Sequence, residues 1–346
     1  MNKTAIVSGA NGQDGSFLSE LLLNKDYEVM GISRRSSRHN TNLDRCLIHP
    51  NFHLVELDIT DVSGIRNLVK DVKPSEFYNL AAVSHVGQSF KEPLTTLMVD
   101  GYAVVGMLEA IRNESPKTRF MQASSSEMMG GNVKPNAILN ISPMEIGIPK
   151  QDENTMLIGN SPYAIAKIYS HQMVGLYRKS YGLHASCAIS FNHEGIRRSL
   201  DFVTRKITNG VARISLGLSK TIKMGNLDAY RDIGNSEDFV NGFWLMLQQD
   251  VPDDYVFATG ETVSVREMLQ YACGLANLDW QDVYEMDERF MRPSDVPYLC
   301  GDANKAKEVL GWEPIYLWKD TLKEMYENDF SLLSRENRSD ITVPVC

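Results

Sequence analysis

The stretch TAIVSGANGQDGSFLSELL, residues 4–22, decides the fold class. An apolar run of strand length passes directly into a loop with glycines at Gly9, Gly12 and Gly15, and the apolar residues that follow recur at helical spacing. This order suits a pyrophosphate, because the unpaired N–H groups of the first helical turn point at the anion. Three glycines also occur in ordinary loops, but their position between strand and helix favours a dinucleotide-binding βαβ unit.

Strand and helix patterns alternate through the first half of the chain. Apolar runs such as YEVMGIS, FHLVELD and TRFMQAS are separated by segments of helical periodicity such as VSGIRNLVKDV. This alternation predicts an α/β fold with a doubly wound, mainly parallel, Rossmann-like sheet. We expect a nucleotide-binding domain over residues 1–190 with a long connection at about 131–160, and a smaller C-terminal α/β substrate lobe over 191–330. Part of that lobe is expected to return to the first domain, and residues 331–346 to form a tail.

Composition limits the classes of function. The 346 residues are 43% apolar and carry a net charge of −9, so we expect a sizeable core and no nucleic-acid-binding surface. The five cysteines are scattered without the spacing of a metal site, which predicts reduced thiols and no metal. The chain enters a strand pattern at once and shows no apolar run of membrane-spanning length, so a cytoplasmic protein without a membrane association is expected.

The residues after the second strand pattern bear on the choice of cofactor. An NAD site has Asp or Glu here to bind the ribose 2′-hydroxyl, but this chain has Arg34, Arg35, Ser36 and Ser37. Guanidinium groups bind phosphate oxygens in a bidentate fork, so the segment favours NADP, with its 2′-phosphate, over NAD. The alternative is a solvated basic loop.

Two further strand patterns end in residues that would face the cofactor. The carboxyl ends of parallel strands meet at one edge of the sheet, where the adenine and diphosphate of a dinucleotide lie. The residues concerned are Asp58 and Ile59, and then Leu80, Ala81, Ala82 and Ser84. Each set could also be an ordinary strand-end turn.

The segment YAIAK places Tyr163 and Lys167 four residues apart in a helical pattern. This spacing puts both side chains on one helix face, with the ammonium near the phenol. An isolated tyrosine has a pKa of about 10, whereas a neighbouring cation and an oxidised nicotinamide both favour the phenolate, which can act as a base. Such a pair is often only an exposed helix face, but here it accompanies the glycine loop and a strand ending in ASSSE at residues 123–127.

Together these motifs resemble the extended short-chain dehydrogenase/reductases, and within them the GDP-mannose 4,6-dehydratase family. The resemblance extends from residue 4 to about residue 315 through GANGQDGS, RRSSRHNT, YNLAAVSHV, ASSSE, SPYAIAK, FNHEGIRR, FVTRKIT, GNLDAYRD, ATGETVSVRE and RPSDV. It implies a hydro-lyase of deoxysugar and GDP-fucose biosynthesis. Such an enzyme oxidises the sugar at C4, removes water across C5 and C6, and returns the hydride to C6 to give GDP-4-keto-6-deoxymannose.

The resemblance also implies residue roles. Ser125, Tyr163 and Lys167 would serve the oxidation at C4, and Glu127 would remove the C5 proton; the family usually has Thr in place of Ser125. The implied NADP contacts are Gly9, Gly12, Gln13, Asp14, Gly15, Arg34, Arg35, Ser36, Ser37, Asp58, Ile59, Leu80, Ala81, Ala82, Ser84, Lys167, His193 and Arg198. The implied nucleotide-sugar contacts are Ser84, Ser126, Asn192, Lys206, Arg231 and Arg292. The basic loop would also reach a neighbouring subunit's cofactor, which implies a homo-oligomer, either a tetramer or a dimer.

Some positions depart from the family pattern. Asn160, Tyr230, Ile233 and Asn235 stand where Arg, Lys, Trp and His are usual, and the stretch at 131–160 is longer than usual. This insertion would be either a surface loop, which we favour, or a lid. The departures leave two alternatives open: a dehydratase or epimerase acting on another nucleotide sugar, and a non-catalytic NADP-binding regulator.

Individual side chains also keep structural alternatives. His193 could be a structural histidine without contact to the cofactor. Arg231 and Arg292 could form surface ion pairs that contribute little. Met128 and Met129 are interpreted as packing residues.

Overall fold

A seven-stranded parallel sheet forms the centre of the first lobe in the computed structural model, which describes residues 3–34, 41–132 and 150–341. Its strands are β1 (Thr4–Ser8), β2 (Glu28–Ser33), β3 (Phe52–Glu56), β4 (Glu76–Asn79), β5 (Arg119–Ser125), β6 (Ala185–Ser190) and β10 (Tyr255–Phe257). They lie in the order β10-β6-β5-β4-β1-β2-β3, and every neighbouring pair is parallel. The predicted doubly wound α/β fold is confirmed.

Helices cover both faces of this sheet. One face carries α1 (Gln13–Asn24), α2 (Asp44–Leu47), α9 (Ser236–Gln248) and α12 (Asn304–Leu310), and the other carries α3 (Val62–Val72), α6 (Ala103–Glu114) and α7 (Pro162–Tyr181). Two short helices, α4 (Val86–Ser89) and α5 (Pro93–Leu97), precede a π-helical turn at Met98–Tyr102 that continues into α6. Residues of the second half thus complete the core of the first lobe.

The second lobe is built from short strands and a helical layer. Its strands are β7 (Asn192–Glu194), β8 (Ile222–Met224), β9 (Tyr230–Asn235), β11 (Thr262–Ser264) and β12 (Tyr284–Met286), and its helices are α8 (Val203–Ser215), α10 (Val265–Leu275), α11 (Trp280–Val283) and α13 (Trp318–Ile341). Strands β11, β9 and β7 form one small sheet, and β12 pairs with β8. A buried ion pair fixes α13 to α8, since Arg205 Nε donates to both carboxylate oxygens of Asp329 at 2.8 and 2.9 Å.

The C-terminal helix extends into the segment that the sequence predicted to be a tail. Helix α13 continues to Ile341, because apolar residues such as Leu333 still recur on its packed side, and Leu333 is buried. Residues 331–341 are therefore helical, and residues 342–346 lie outside the described part.

One helical stretch within the described residues, Pro93–Glu114, is long and apolar enough to cross a membrane by length and composition. Of its most apolar window, 56% is buried inside the protein, as in the core helix of a folded domain. The four described cysteines, Cys46, Cys187, Cys273 and Cys300, are free and buried, as predicted for reduced thiols.

Candidate active site

A cleft of about 1210 Å³ opens at the carboxyl ends of the parallel strands, between the two lobes. This is where ligands of doubly wound folds bind, and the volume exceeds the usual range for a single small ligand. Every site residue that the sequence predicted within the described part of the chain lines this cleft. Arg35, Ser36 and Ser37 lie outside the described residues.

The glycine loop between β1 and α1 leaves room for an anion. Gly9 has a φ of +68°, and a Cβ there would lie 2.9 Å from the backbone of Ala81. A Cβ on Gly15 would lie 2.2 Å from the carbonyl oxygen of Gly9, so both positions require glycine. Gly12 caps α1 without a side-chain hydrogen bond, which leaves N–H groups of the first turn available. These features fit the pyrophosphate of a dinucleotide.

An ion pair joins this loop to the second lobe. His193 donates from Nε2 to Asp14 Oδ2 at 2.8 Å and from Nδ1 to the carbonyl oxygen of Phe191 at 2.7 Å, so both ring nitrogens carry protons. Burial alone would lower the pKa of His193, but the Asp14 carboxylate outweighs burial and raises it. The same pair lowers the pKa of Asp14 against the opposing effect of burial. The histidine thus has a structural partner and neutralises a carboxylate beside the pyrophosphate position.

Ser125, Tyr163 and Lys167 are brought together by β5 and α7. Helix α7 begins after Ser161, whose hydroxyl caps it by accepting from the N–H of Ala164 at 3.1 Å. Tyr163 and Lys167 then face β5, and the phenol shares a hydrogen bond with the hydroxyl of Ser125 at the end of that strand. Lys167 Nζ donates to the carbonyl oxygen of Ala123 at 2.8 Å and lies 5.7 Å from the centroid of the Tyr163 ring.

Burial dominates the electrostatics of this group. It raises the pKa of Tyr163, with smaller contributions from Asp100 and Glu127, while the Ser125 hydrogen bond acts in the opposite direction. Burial also lowers the pKa of Lys167, against the favourable effect of Asp100. The sequence suggested that the Lys167 ammonium would make the phenol acidic, but burial and the nearby carboxylates act together to raise the pKa of Tyr163.

Sequence reasoning missed Asp100 as a contributor to this site. Its carboxylate is 1% exposed, accepts from the N–H of Val83 at 2.8 Å through Oδ1, and lies in the π-helical turn. Burial raises its pKa. A single carboxylate within the apolar helical stretch TLMVDGYAVV was the available signal.

Glu127 follows Ser125 on a firmly packed turn. The 3-10 turn Ser126–Asn132 begins where β5 ends, and the N–H of Glu127 donates to Ser125 Oγ at 3.2 Å. Met128 and Met129 are fully buried, in agreement with their interpretation as packing residues. Glu127 lines the same cleft as Tyr163, so a carboxylate and a phenol are exposed to one cavity.

The two predicted substrate arginines lie beside this carboxylate. Arg231 is 6% exposed and donates to the carbonyl oxygen of Val296 at 2.7 Å, which excludes a surface ion pair. Arg231 and Arg292 both contact Asp295 Oδ1, at 3.2 and 3.4 Å. Lys206 lies farther along the wall, its Nζ 3.0 Å from the centroid of the Phe290 ring. Cationic side chains thus line the part of the cleft opposite the glycine loop.

Two histidine environments were not anticipated. His85 lines the cleft and caps α4 by accepting from the N–H of Gln88 at 3.1 Å. Possible metal-ligand atoms of His171, Cys187 and Asp254 lie within 4.8 Å of one another. Those side chains already have partners, since Ser124 Oγ contacts His171 Nδ1 at 3.0 Å and Asp254 pairs with Arg178. They come from separate elements, so sequence spacing does not reveal them.

Comparison with known proteins identifies the family. The model of the family described as GDP-mannose 4,6 dehydratase matches residues 6–325. The chain belongs to this GDP-mannose 4,6-dehydratase family. It is 44% identical to GDP-mannose 4,6 dehydratase 2 of Arabidopsis thaliana, over 96% of this chain and 88% of that protein.

Solved structures more distant than this relative share the fold. The UDP-glucose 4-epimerase of Thermotoga maritima, solved with UDP-glucose, matches with a TM-score of 0.82 at 24% identity, over 95% of this chain and 99% of that one. The dTDP-glucose 4,6-dehydratase of Bacillus anthracis, solved with NAD, matches with a TM-score of 0.80 at 19% identity, over 97% and 98%.

The departures from the family pattern differ in their positions. Ile233 lines the cleft, whereas Asn160, Tyr230 and Asn235 are not among its described lining residues. Asn235 caps α9, since its Oδ1 accepts from the N–H of Glu237 at 2.9 Å. Of the four departures, therefore, Ile233 is the one placed to alter the shape of the cleft directly.

The predicted insertion lies mostly outside the described residues, but hydrogen bonds to the rest of the protein hold its C-terminal part, which begins at residue 150 in the described chain. Gln151 donates its N–H to the carbonyl oxygen of Cys300 at 2.8 Å, and Glu153 Oε1 accepts from the N–H of Val256 at 2.7 Å. The second contact covers a polar group on the edge strand β10. Residues 133–149 are not described.

Proposed function

We propose that this chain is an NADP-dependent hydro-lyase that converts GDP-mannose to GDP-4-keto-6-deoxymannose. The observation that carries the proposal is the position of Glu127, which faces the cleft one turn beyond the Ser125–Tyr163 pair. Oxidation at C4 needs the hydroxyl pair, whereas loss of water also needs a base for the C5 proton. Family membership supports GDP-mannose as the substrate.

The first proton transfer is assigned to Tyr163. Its phenolate form takes the proton of the 4-hydroxyl, and the Ser125 hydroxyl stabilises that form by a hydrogen bond. The bound nicotinamide supplies the hydride acceptor and, later, the hydride donor. Lys167, held against Ala123, keeps a positive charge near the phenol.

The second proton transfer is assigned to Glu127. A ketone at C4 acidifies the neighbouring C5–H. The carboxylate takes this proton and, as the carboxylic acid, passes it to the C6 hydroxyl, which departs as water and leaves a C5–C6 double bond. The turn that contains the buried Met128 and Met129 holds the base in place beyond the end of β5. Arg231 and Arg292 would hold the diphosphate of the nucleotide.

NADP is preferred over NAD because Arg34 lines the cleft where an acidic residue would bind an unphosphorylated ribose. The nearby Asp58 is already committed, since its Oδ1 accepts from the N–H and hydroxyl of Thr60 at 2.9 and 2.7 Å. Among the described residues at this position, Arg34 is therefore the partner available for a 2′-phosphate. The alternative solvated loop predicts equal affinities for the two cofactors, which direct binding measurements distinguish.

A homo-oligomer is also proposed, at least a dimer and with a tetramer expected from the basic loop. Exposed apolar side chains follow one face of α5 and α7, among them Leu94 at 78% exposure and Ile165 at 60%. The elements carrying them pack side by side, since Gly101 lies against Tyr169 and Leu97. Contiguous apolar surface of this kind marks a protein interface. A cytoplasmic location is proposed as well, on the reduced thiols expected of that compartment.

The deciding experiment is incubation of the NADP-loaded protein with a panel of GDP-, dTDP-, UDP- and CDP-sugars, with mass detection of water loss. The proposal predicts conversion of GDP-mannose without net formation of NADPH. Stoichiometric NADPH would contradict it, and turnover of a different sugar alone would favour the alternative dehydratase or epimerase suggested by Ile233. NADP binding without turnover of any sugar would favour a regulator.

A further inference from the structure

The two arginines at the substrate end of the cleft share Asp295 but differ in their other partners. Besides its ion pair with Asp295 at 3.2 Å, Arg231 donates to the carbonyl oxygens of Val296 and Tyr230 at 2.7 and 2.9 Å. The side chain of Arg292 is 33% exposed, and the ion pairs it makes within the described chain are with Asp295 at 3.4 Å and Glu127 at 3.7 Å. Arg292 is thus held by anions that another anion can replace.

The backbones on either side of the Glu127–Arg292 pair are packed together. A Cβ on Gly130 would lie 2.4 Å from a methyl group of Val296, so the turn that contains Glu127 is in contact with the segment that follows Arg292. Met128, Met129 and Val296 are all buried. A change in this ion pair therefore requires movement of the long, partly exposed arginine side chain rather than of the backbone.

We propose that Arg292 couples ligand binding to the release of the C5 base: its guanidinium pairs with Glu127 at 3.7 Å, and the diphosphate of the bound nucleotide draws it away. The inference rests on the proposed function, since it assigns Glu127 to proton removal. A diphosphate competes well with a carboxylate, because it offers more charge and accepts two parallel hydrogen bonds from one guanidinium. The Glu127 carboxylate is then free of its ion pair with Arg292 when the sugar is in place.

Free GDP is the probe for this coupling, because it carries the diphosphate but no sugar to touch Glu127. If Arg292 cannot bind Glu127 and the diphosphate at the same time, Glu127→Gln removes the competing carboxylate and tightens GDP binding to the NADP-loaded protein. The expected gain is about two- to five-fold, the range of a partly exposed ion pair. In an Arg292→Gln background the same change produces no gain, and the four dissociation constants form a double-mutant cycle measured by calorimetry.

Asp201→Asn is the matched control, because it removes one negative charge from the cleft wall. Asp201 lines the cleft and accepts from the Ser199 hydroxyl at 3.4 Å, without a described ion pair to Arg292. Its effect on GDP affinity should be the same with and without Arg292.

Two results would overturn the coupling. One is a gain in GDP affinity from Glu127→Gln that persists in the Arg292→Gln background, since this indicates direct repulsion between Glu127 and the diphosphate. The other is a GDP affinity of the Glu127→Gln protein that equals or falls below that of the unmodified protein. Failure of GDP to bind the unmodified protein would instead count against the proposed guanine nucleotide. The cycle is then run with the nucleoside diphosphate that does bind, because the arginines recognise the diphosphate rather than the base.

Discussion

Replacing Ser125 by alanine tests how the buried phenol of Tyr163 becomes a base. Burial raises the pKa of Tyr163, and the Ser125 hydrogen bond opposes that rise. A hydrogen bond to a charged group contributes about 1.5–3 kcal/mol, and one pKa unit corresponds to about 1.4 kcal/mol. Loss of the hydroxyl should therefore raise the pKa of Tyr163 further, by roughly one to two units.

The direction in which pH changes the rate of C4 oxidation follows from the fact that only the deprotonated form of Tyr163 acts as the base. A higher pKa leaves less phenolate at neutral pH, so Ser125→Ala should lower the rate of C4 oxidation about 10- to 100-fold there. The loss should shrink as the pH rises toward the new pKa. The assay is the pH dependence of NADPH formation in a single turnover with saturating GDP-mannose.

Two neighbouring variants make this experiment specific. Ser125→Thr retains the hydroxyl and should keep the pH profile of the unmodified protein. Ser124→Ala removes the adjacent hydroxyl, which contacts His171 instead, and should leave the profile in place. A Ser125→Ala enzyme whose rate is lower but levels off at the same pH as that of the unmodified protein would refute the reasoning, since the hydroxyl would then only position the sugar.

Four other substitutions probe separate parts of the structure. Glu127→Gln should abolish water loss while C4 oxidation and NADP binding remain, so that NADPH accumulates with GDP-mannose; unchanged turnover would remove Glu127 from its role. Arg34→Ala should weaken NADP binding roughly 10- to 100-fold and leave the affinity for NAD unchanged. Replacement of the exposed Arg45 by alanine is the control. Equal losses of affinity for both cofactors would contradict the 2′-phosphate contact. Asp329→Ala should lower the free energy of unfolding by about 3–5 kcal/mol, because it leaves the guanidinium of Arg205 without its carboxylate partner. Glu327→Ala, on the solvent side of α13, should change the free energy of unfolding little. Denaturant unfolding measures both effects. Ile165→Glu should shift sedimentation toward the monomer, and Ile315→Glu, at a position that is more exposed (76% against 60%) but away from α5 and α7, should not.

The sequence was most informative where one local pattern determines the geometry. A strand, three glycines and a helix start can form only a narrow range of turns, so the phosphate loop at Gly9–Gly15 was predictable from spacing alone. Tyr163 and Lys167 likewise lie on one helix face because of their separation. The resemblance to a family then supplied Glu127, Arg231 and Arg292, and the structure places all three on the wall of one cleft.

What the sequence could not reveal depends on contacts between distant segments. Asp14 and His193 pair across the two lobes, and Asp100 faces Lys167 from another helix, so no local spacing links either pair. The direction of the Tyr163 pKa was also out of reach, because it depends on how much solvent the folded cleft excludes. Residues 331–346 were predicted to form a tail because polar residues dominate them, and the part up to Ile341 belongs to α13, with Leu333 on its packed side.

The position of β10 has a consequence for how the chain folds during synthesis. The edge strand Tyr255–Phe257 and the covering rings of Phe239 and Trp312 come from the second half of the chain, yet they complete the core of the first lobe. A nascent chain ending near residue 190 therefore has an unpaired strand edge at β6 and an uncovered apolar sheet face, both of which favour aggregation. The nucleotide-binding half cannot mature on the ribosome until Trp312 has emerged, and this molecule is expected to need protection by a chaperone for most of its translation.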